Sequence, residues 1–135
     1  DVTITGRNPE RATEVASQIG SGVGALAFDL AEPDTIAGAL SGLGAVSRLV
    51  LSSIARDNNP IRDYTIADAI NLTTMKLVGY PATIHALLDR LSEESSVVLY
   101  GGRAKDRPYP GSTTVTTVNG VRNSWETLST KRWAV

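Results

Sequence analysis

The chain has no cysteine and a single histidine, His85, among its 135 residues. Disulfides, thiol catalysis and thiolate metal sites are thereby excluded, and multi-histidine metal centres with them. The lack of cysteine fits a reducing compartment, so a cytoplasmic location is expected. No run of about 18 apolar residues occurs, which argues against a membrane-spanning helix, and the opening Asp1-Val2-Thr3-Ile4 lacks the basic-then-apolar order of a secretory leader. Charge is nearly balanced, with 13 Lys and Arg against 14 Asp and Glu for a formal net charge of −1. That leaves no basic face for nucleic acid or for an anionic membrane surface, and neither partner is expected. A hydrophobic fraction of 41% with 20% charged residues is ordinary for a folded chain. The length suits one core and is short for two. Both ends read as cut, since the chain opens directly in a strand-like run and closes after Arg132-Trp133-Ala134-Val135 without a helix-ending Gly or Pro. The expectation is therefore one incomplete domain over 1–135.

What is present alternates in character. Asp1 to Thr5 is β-forming and stops at Gly6; Asn8 can then cap a helix whose first turn accepts Pro9. Ala12, Val15, Ala16 and Ile19 fall on one face of that helix, and Gly20 supplies its stop. Ala25 to Leu30 is a short apolar run, as expected of a strand covered on both faces, and Glu32-Pro33-Asp34 starts a second helix carrying Ile36, Ala39, Leu40 and Leu43. Arg48 to Ile54 predicts a third strand, followed by a polar loop over Arg56 to Pro60. A long helical stretch over 65–91 is expected to break or kink near Gly79-Tyr80-Pro81. Ser96 to Tyr100 predicts a fourth strand, and Val115, Val118, Val121, Trp125 and Leu128 recur at helical spacing after residue 112. Strands alternating with crossover helices predict an α/β fold, a Rossmann-like doubly wound parallel sheet of about four strands with helices on both faces.

These residues, in order and spacing, resemble the short-chain dehydrogenase/reductase family from its second strand to the helix after its fifth. Ile4-Thr5-Gly6-Arg7-Asn8 looks like the turn that meets the adenosine ribose. The resemblance implies that Gly6, Arg7 and Asn8 bind cofactor there, with the guanidinium fork of Arg7 suited to a 2′-phosphate, so that NADP(H) is favoured over NAD(H). A solvated turn arginine is the plainer alternative. Asp29-Leu30 is similar to the family's adenine-contacting pair, though an Asp near a helix start would look the same. Ser52-Ser53-Ile54-Ala55 stands where the family most often has Asn-Asn-Ala-Gly. Asn71 matches the helix asparagine that in the family organises a proton relay, and is the single catalytic candidate; an exposed helical Asn is the rival reading.

The departures concern the chemistry. The resemblance would put a Ser, a Tyr and a Lys at Gly102, Val115 and Asn119, and none of these three can do that acid/base work. No Tyr in the chain has a Lys four residues on. The first strand and its glycine-rich turn have no counterpart, because Gly20-Ser21-Gly22-Val23-Gly24 follows a helix and precedes a strand, the reverse of the order that phosphate binding needs. In the family that strand lies between the first and third strands of this chain. Either the chain is a fragment of a longer polypeptide whose remainder fills the gap, or the strands close up in the order 2-1-3-4. Three functions stay open: the core of an NADP(H)-dependent oxidoreductase acting on a carbonyl or alcohol, a catalytically lapsed relative that binds a nucleotide or only a protein partner, and an incomplete scaffold with no activity by itself. The helices over 65–91 and 112–135, with the stripes Leu77, Ile84, Leu88, Leu91 and Val118, Val121, Trp125, Leu128, are the expected surfaces of a homo-oligomer. His85 and Trp133 are expected to carry no chemistry.

Overall fold

The computed structural model of the chain describes residues 1–55 and 58–128, with the side chains of 122–128 outside that description. Strand β1 (Val2–Gly6) leads into helix α1 (Pro9–Ile19), which returns the chain to β2 (Val23–Ala27). Asn8 caps α1 as its residue type predicts: its backbone is extended and its Oδ1 accepts from the Arg11 amide at 2.7 Å. The helix ends at Gly20, whose φ of 153° excludes other residues and whose amide donates to the Ala16 carbonyl. Helix α2 (Pro33–Ala39) then feeds β3 (Val46–Leu51). A helical run follows as α3 (Ile66–Thr73), a π turn over Thr74–Gly79 and α4 (Tyr80–Leu87), before β4 (Leu91–Leu99) and α5 (Thr113–Leu128).

The expected four parallel strands are present, as two pairs. β1 lies parallel to β2 with Val2 opposite Val23, and β3 lies parallel to β4 with Arg48 opposite Ser96. Among the described residues no ladder joins β1 to β3, so the closed-up order is not formed and the inner edges of both pairs are left unpaired. The two pairs nevertheless share one core. Leu30, Ile36, Leu40, Leu51, Met75, Tyr80 and Leu87 are buried together, with Leu26, Phe28, Leu49 and Leu99 packed on them.

Several elements depart from the pattern of residues, each for a local reason. The helical run is not broken at Gly79-Tyr80-Pro81. Pro81 lacks the N–H of an α-helical bond and its ring would clash with the Leu77 carbonyl, and the wider π turn just before it accommodates both. β4 begins at Leu91 rather than Ser96 because Ser92 to Ser95 bulge out of the ladder, tied back by Ser95 Oγ donating to the Val46 carbonyl at 2.7 Å. Leu91 is thus a strand residue and leaves the proposed helical stripe, in which Leu88 is exposed. Ile19, the last residue of α1, is exposed as well, and Ala12 and Ala16 are the residues of that face that are buried. Of the second stripe, Val118 is buried and Val121 exposed, while Trp125 and Leu128 fall outside the described side chains, as Trp133 falls outside the described residues.

The loop after β3 is held by a residue that carries no signal in the sequence. Asn59 is buried, and its Oδ1 accepts from the Thr65 amide at 2.7 Å while its Nδ2 donates to the Thr65 carbonyl at 2.9 Å and to Thr114 Oγ1 at 3.4 Å. Its own amide donates to the Gly111 carbonyl at 2.7 Å. One side chain thereby joins the start of α3 to the start of α5. Asn59→Ala strands a buried amide and carbonyl, so a loss of about 2–3 kcal/mol is expected, read as a lower urea midpoint with an unchanged slope.

Candidate functional site

The C-terminal ends of β1, β2 and β3 enclose a cavity of about 260 Å³. Crevices beyond the carboxyl ends of parallel strands, where the chain leaves in opposite directions, are where α/β folds bind ligands. The volume is slightly below the roughly 300–1,000 Å³ of small-molecule pockets and suits a fragment such as a nucleoside. Gly6 and Arg7 come from the end of β1, Asp29 and Leu30 from the turn after β2, and Ser52, Ser53 and Ile54 from the extended segment after β3; all seven line it. Thr5, Phe28, Val50, Leu51 and Met75 complete the wall. These five carry no motif, and only their places at strand ends and on the π turn bring them there.

Asn8 is absent from that wall, because its side chain is engaged in capping α1. Asp29 has a local partner, its Oδ1 accepting from the Ala31 amide at 2.9 Å in the turn before α2, so the alternative reading of Asp29 as a residue near a helix start describes half of its carboxylate. The other oxygen faces Arg7, with Nη1 to Oδ2 3.9 Å apart. That separation is beyond a hydrogen bond, and with Arg7 69% exposed the pair contributes little to stability. Arg7 therefore keeps its planar donors at the mouth while Asp29 holds the charge nearby.

The wall formed by Ser52 to Ile54 is fixed from behind. Tyr80, 1% exposed, donates its hydroxyl to the Ser53 carbonyl at 2.9 Å, and Lys76 Nζ lies 5.3 Å from the Tyr80 ring centroid. Lys76 belongs to the π turn whose neighbour Met75 forms part of the floor. The next turn touches the opposite wall, where Gly79 packs against the Leu30 backbone. Neither Tyr80 nor Gly79 carries a recognisable motif, although a Gly in mid-helix is a weak signal of close packing.

Asn71 is elsewhere. It is exposed on α3 and does not line the cavity. Gly102 and Asn119 are brought together: a Cβ on Gly102 would lie 2.9 Å from Asn119 Nδ2. Val115 is buried with Leu72 and Ala104 in a small apolar cluster. His85 is exposed. Among the described residues no group of three His, Cys, Asp or Glu could hold a metal ion, and no helix is long and apolar enough to cross a membrane.

No protein-family model matches the chain, and no curated protein sequence does. Solved structures do match. A short-chain dehydrogenase/reductase family protein superposes with a TM-score of 0.83 at 23% identity, covering 95% of this chain and 57% of its own. A short-chain dehydrogenase/reductase of the glucose/ribitol dehydrogenase type from Brucella melitensis gives 0.81 at 20% identity, covering 97% and 58%. A small-chain dehydrogenase in complex with NADPH gives 0.73 at 14% identity, covering 94% and 62%. The chain has the Rossmann-type fold of short-chain dehydrogenase/reductase structures and spans somewhat over half of their length.

Proposed function

We propose that this chain is the adenosine-binding and sheet-forming part of an NADP(H)-dependent oxidoreductase of the short-chain dehydrogenase/reductase type, which in the whole protein reduces a carbonyl or oxidises an alcohol. Residues 1–135 form one incomplete dinucleotide-binding domain, cytoplasmic by its composition and able to self-associate through its long helices. The observation that carries this reading is the convergence of Arg7, Asp29, Leu30, Ser52, Ser53 and Ile54 on one cavity at the ends of three parallel strands. The NADPH complex among structures of this fold supports the choice of cofactor class.

The residues present fit the adenosine end of such a cofactor. Arg7 offers a guanidinium fork to a 2′-phosphate, the carboxylate of Asp29 accepts from an exocyclic amine, and Leu30 and Ile54 flank an aromatic ring with apolar surface. When bound, the nicotinamide supplies or takes a hydride. No glycine-rich turn is available in this chain for the pyrophosphate.

A second reading has its own observation. Gly102, Val115 and Asn119 carry no group able to transfer a proton at the reacting end, and Asn71 does not reach the cavity, so a lapsed relative that binds a nucleotide without turnover fits the same structure. Separate titrations with NADPH and NADH, followed by nicotinamide fluorescence, test the first reading. Binding of NADPH at least tenfold tighter than NADH is expected, and absence of binding by either at millimolar concentration would remove it. Turnover on a panel of ketones then separates enzyme from lapsed relative.

A further inference from the structure

We infer that Tyr80 is a positioning residue for the flat base of the ligand: its hydroxyl sets the wall formed by Ser52, Ser53 and Ile54, and with it the width of the slot that the base enters. The inference deepens the dinucleotide reading above and rests on it. The parallel ladder of β3 with β4 ends at Leu51, whose carbonyl accepts from the Tyr100 amide at 2.9 Å. Beyond that point the wall segment is exposed, with Ile54 at 73%, and among the described residues no backbone-to-backbone hydrogen bond is made by residues 52–54. A segment with neither a ladder nor burial has no fixed position of its own. The 2.9 Å bond from the Tyr80 hydroxyl to the Ser53 carbonyl supplies one.

Tyr80 is suited to that task because its ring is held in the core. It is 1% exposed, packed with Leu30, Ile36, Leu40 and Leu51, so the hydroxyl reaches the wall from a rigid support. Lys76 Nζ, 5.3 Å from the ring centroid, draws electron density from the phenol and strengthens its hydroxyl as a donor. The preceding residue gauges the other side: Gly79 packs against the Leu30 backbone, and Leu30 lines the same cavity. Two consecutive residues of the helical run therefore touch the two segments, Leu30 and Ser53, between which a base would lie, and Met75 of the π turn forms part of the floor. Arg7 stands apart from this gauge, on the turn after β1, and is mostly exposed. Base and phosphate are thus held by separate parts of the fold, and the grip on one can be weakened without the other.

Affinities for NADPH and NADH, both of which carry the base, test the assignment when measured on the unchanged protein, Tyr80→Phe and Thr83→Val. Tyr80→Phe keeps the packed ring and removes the hydroxyl. Thr83→Val removes another buried hydroxyl, which donates to the Gly79 carbonyl at 2.8 Å within the same helical run and does not line the cavity. Each is expected to lower Tm by a few degrees. Tyr80→Phe is expected to weaken both cofactors about tenfold at an unchanged preference between them, whereas Thr83→Val stays within about twofold for both. Binding by Tyr80→Phe within about twofold of the unchanged protein overturns the inference and leaves the dinucleotide reading intact. Equal losses in the two variants overturn it as well, since a general loosening of the helical run would then explain both. Failure of Tyr80→Phe to fold does the same, because the hydroxyl would then be holding the core rather than the wall. A loss confined to NADPH overturns it by assigning the effect to the phosphate end. Failure of the unchanged protein to bind either cofactor removes both the inference and the reading beneath it.

Discussion

Gly79→Ala is expected to destabilise the protein by about 3 kcal/mol, among the larger effects of adding one methyl group. The added Cβ would land inside the van der Waals shell of the Leu30 carbonyl oxygen and 3.0 Å from Leu30 Cβ. The oxygen is backbone, so no flexible side chain can swing away. Relief requires the helical run to lift from the turn after β2, and both surfaces belong to the buried core. In an ordinary exposed helix the same change stabilises by up to about 1 kcal/mol, so even the sign of the result is informative. Urea unfolding followed by far-ultraviolet circular dichroism reads it as a lower midpoint at constant slope. A stability equal to or above that of the unchanged protein would mean that the helix and the Leu30 turn are not in contact. Because Leu30 also lines the cavity, weaker ligand binding should accompany the loss.

The second large effect concerns ligand choice. Arg7→Ala is expected to weaken NADPH binding by 10- to 100-fold, the equivalent of about 1.5–3 kcal/mol for charge-assisted hydrogen bonds to a 2′-phosphate. NADH, which lacks that phosphate, should change by less than about threefold. Arg7 is mostly exposed, and its 3.9 Å approach to Asp29 contributes little to stability, so the variant should fold normally. Arg7→Asp should go further and reverse the preference, because a second carboxylate beside Asp29 repels a phosphate and accepts from free ribose hydroxyls. Parallel losses for both cofactors would identify Arg7 as a general electrostatic contact and sink its role in selecting the 2′-phosphate.

Much of the fold was legible in the sequence because local signals coincided. Asn8, Pro9 and Gly20 mark both ends of α1 by capping chemistry, and the apolar runs mark the strands. The segments that became cavity wall were legible for a related reason: Gly6-Arg7, Asp29-Leu30 and Ser52-Ser53 each stand where a strand stops, and parallel strands place all such stops at one end. What stayed hidden depends on distance in sequence. Asn59 is one polar loop residue among several until α5 brings Thr114 against it. Gly79 and Tyr80 read as helix breakers, yet one exists for contact with Leu30 and the other for a bond to the Ser53 carbonyl. Asn119 reads as a polar helix residue, and nothing local in the sequence marks it as buried. The start of β4 was obscured by the acidic, serine-rich bulge, where composition argues for solvent while the ladder resumes on both sides.

The pairing of the strands also separates the chain by how far it must search to form them. Val2 meets Val23 after a crossover of 21 positions, whereas Val46 meets Leu91 after 45, with the long helical run in between. Doubling the length of a loop adds about 0.6 kcal/mol to the entropy of closing it, so the β1–α1–β2 unit has the easier closure and most of its contacts are local. It needs only its own helix, whose caps are already encoded, to hold its two strands in register. The β3–β4 pair must wait for α3 and α4 to find the core, and Gly79 is the point at which that helical run seats against the turn left by the earlier unit. Half of the cavity wall is thus local in origin, and the other half is set by contacts between segments far apart in the chain.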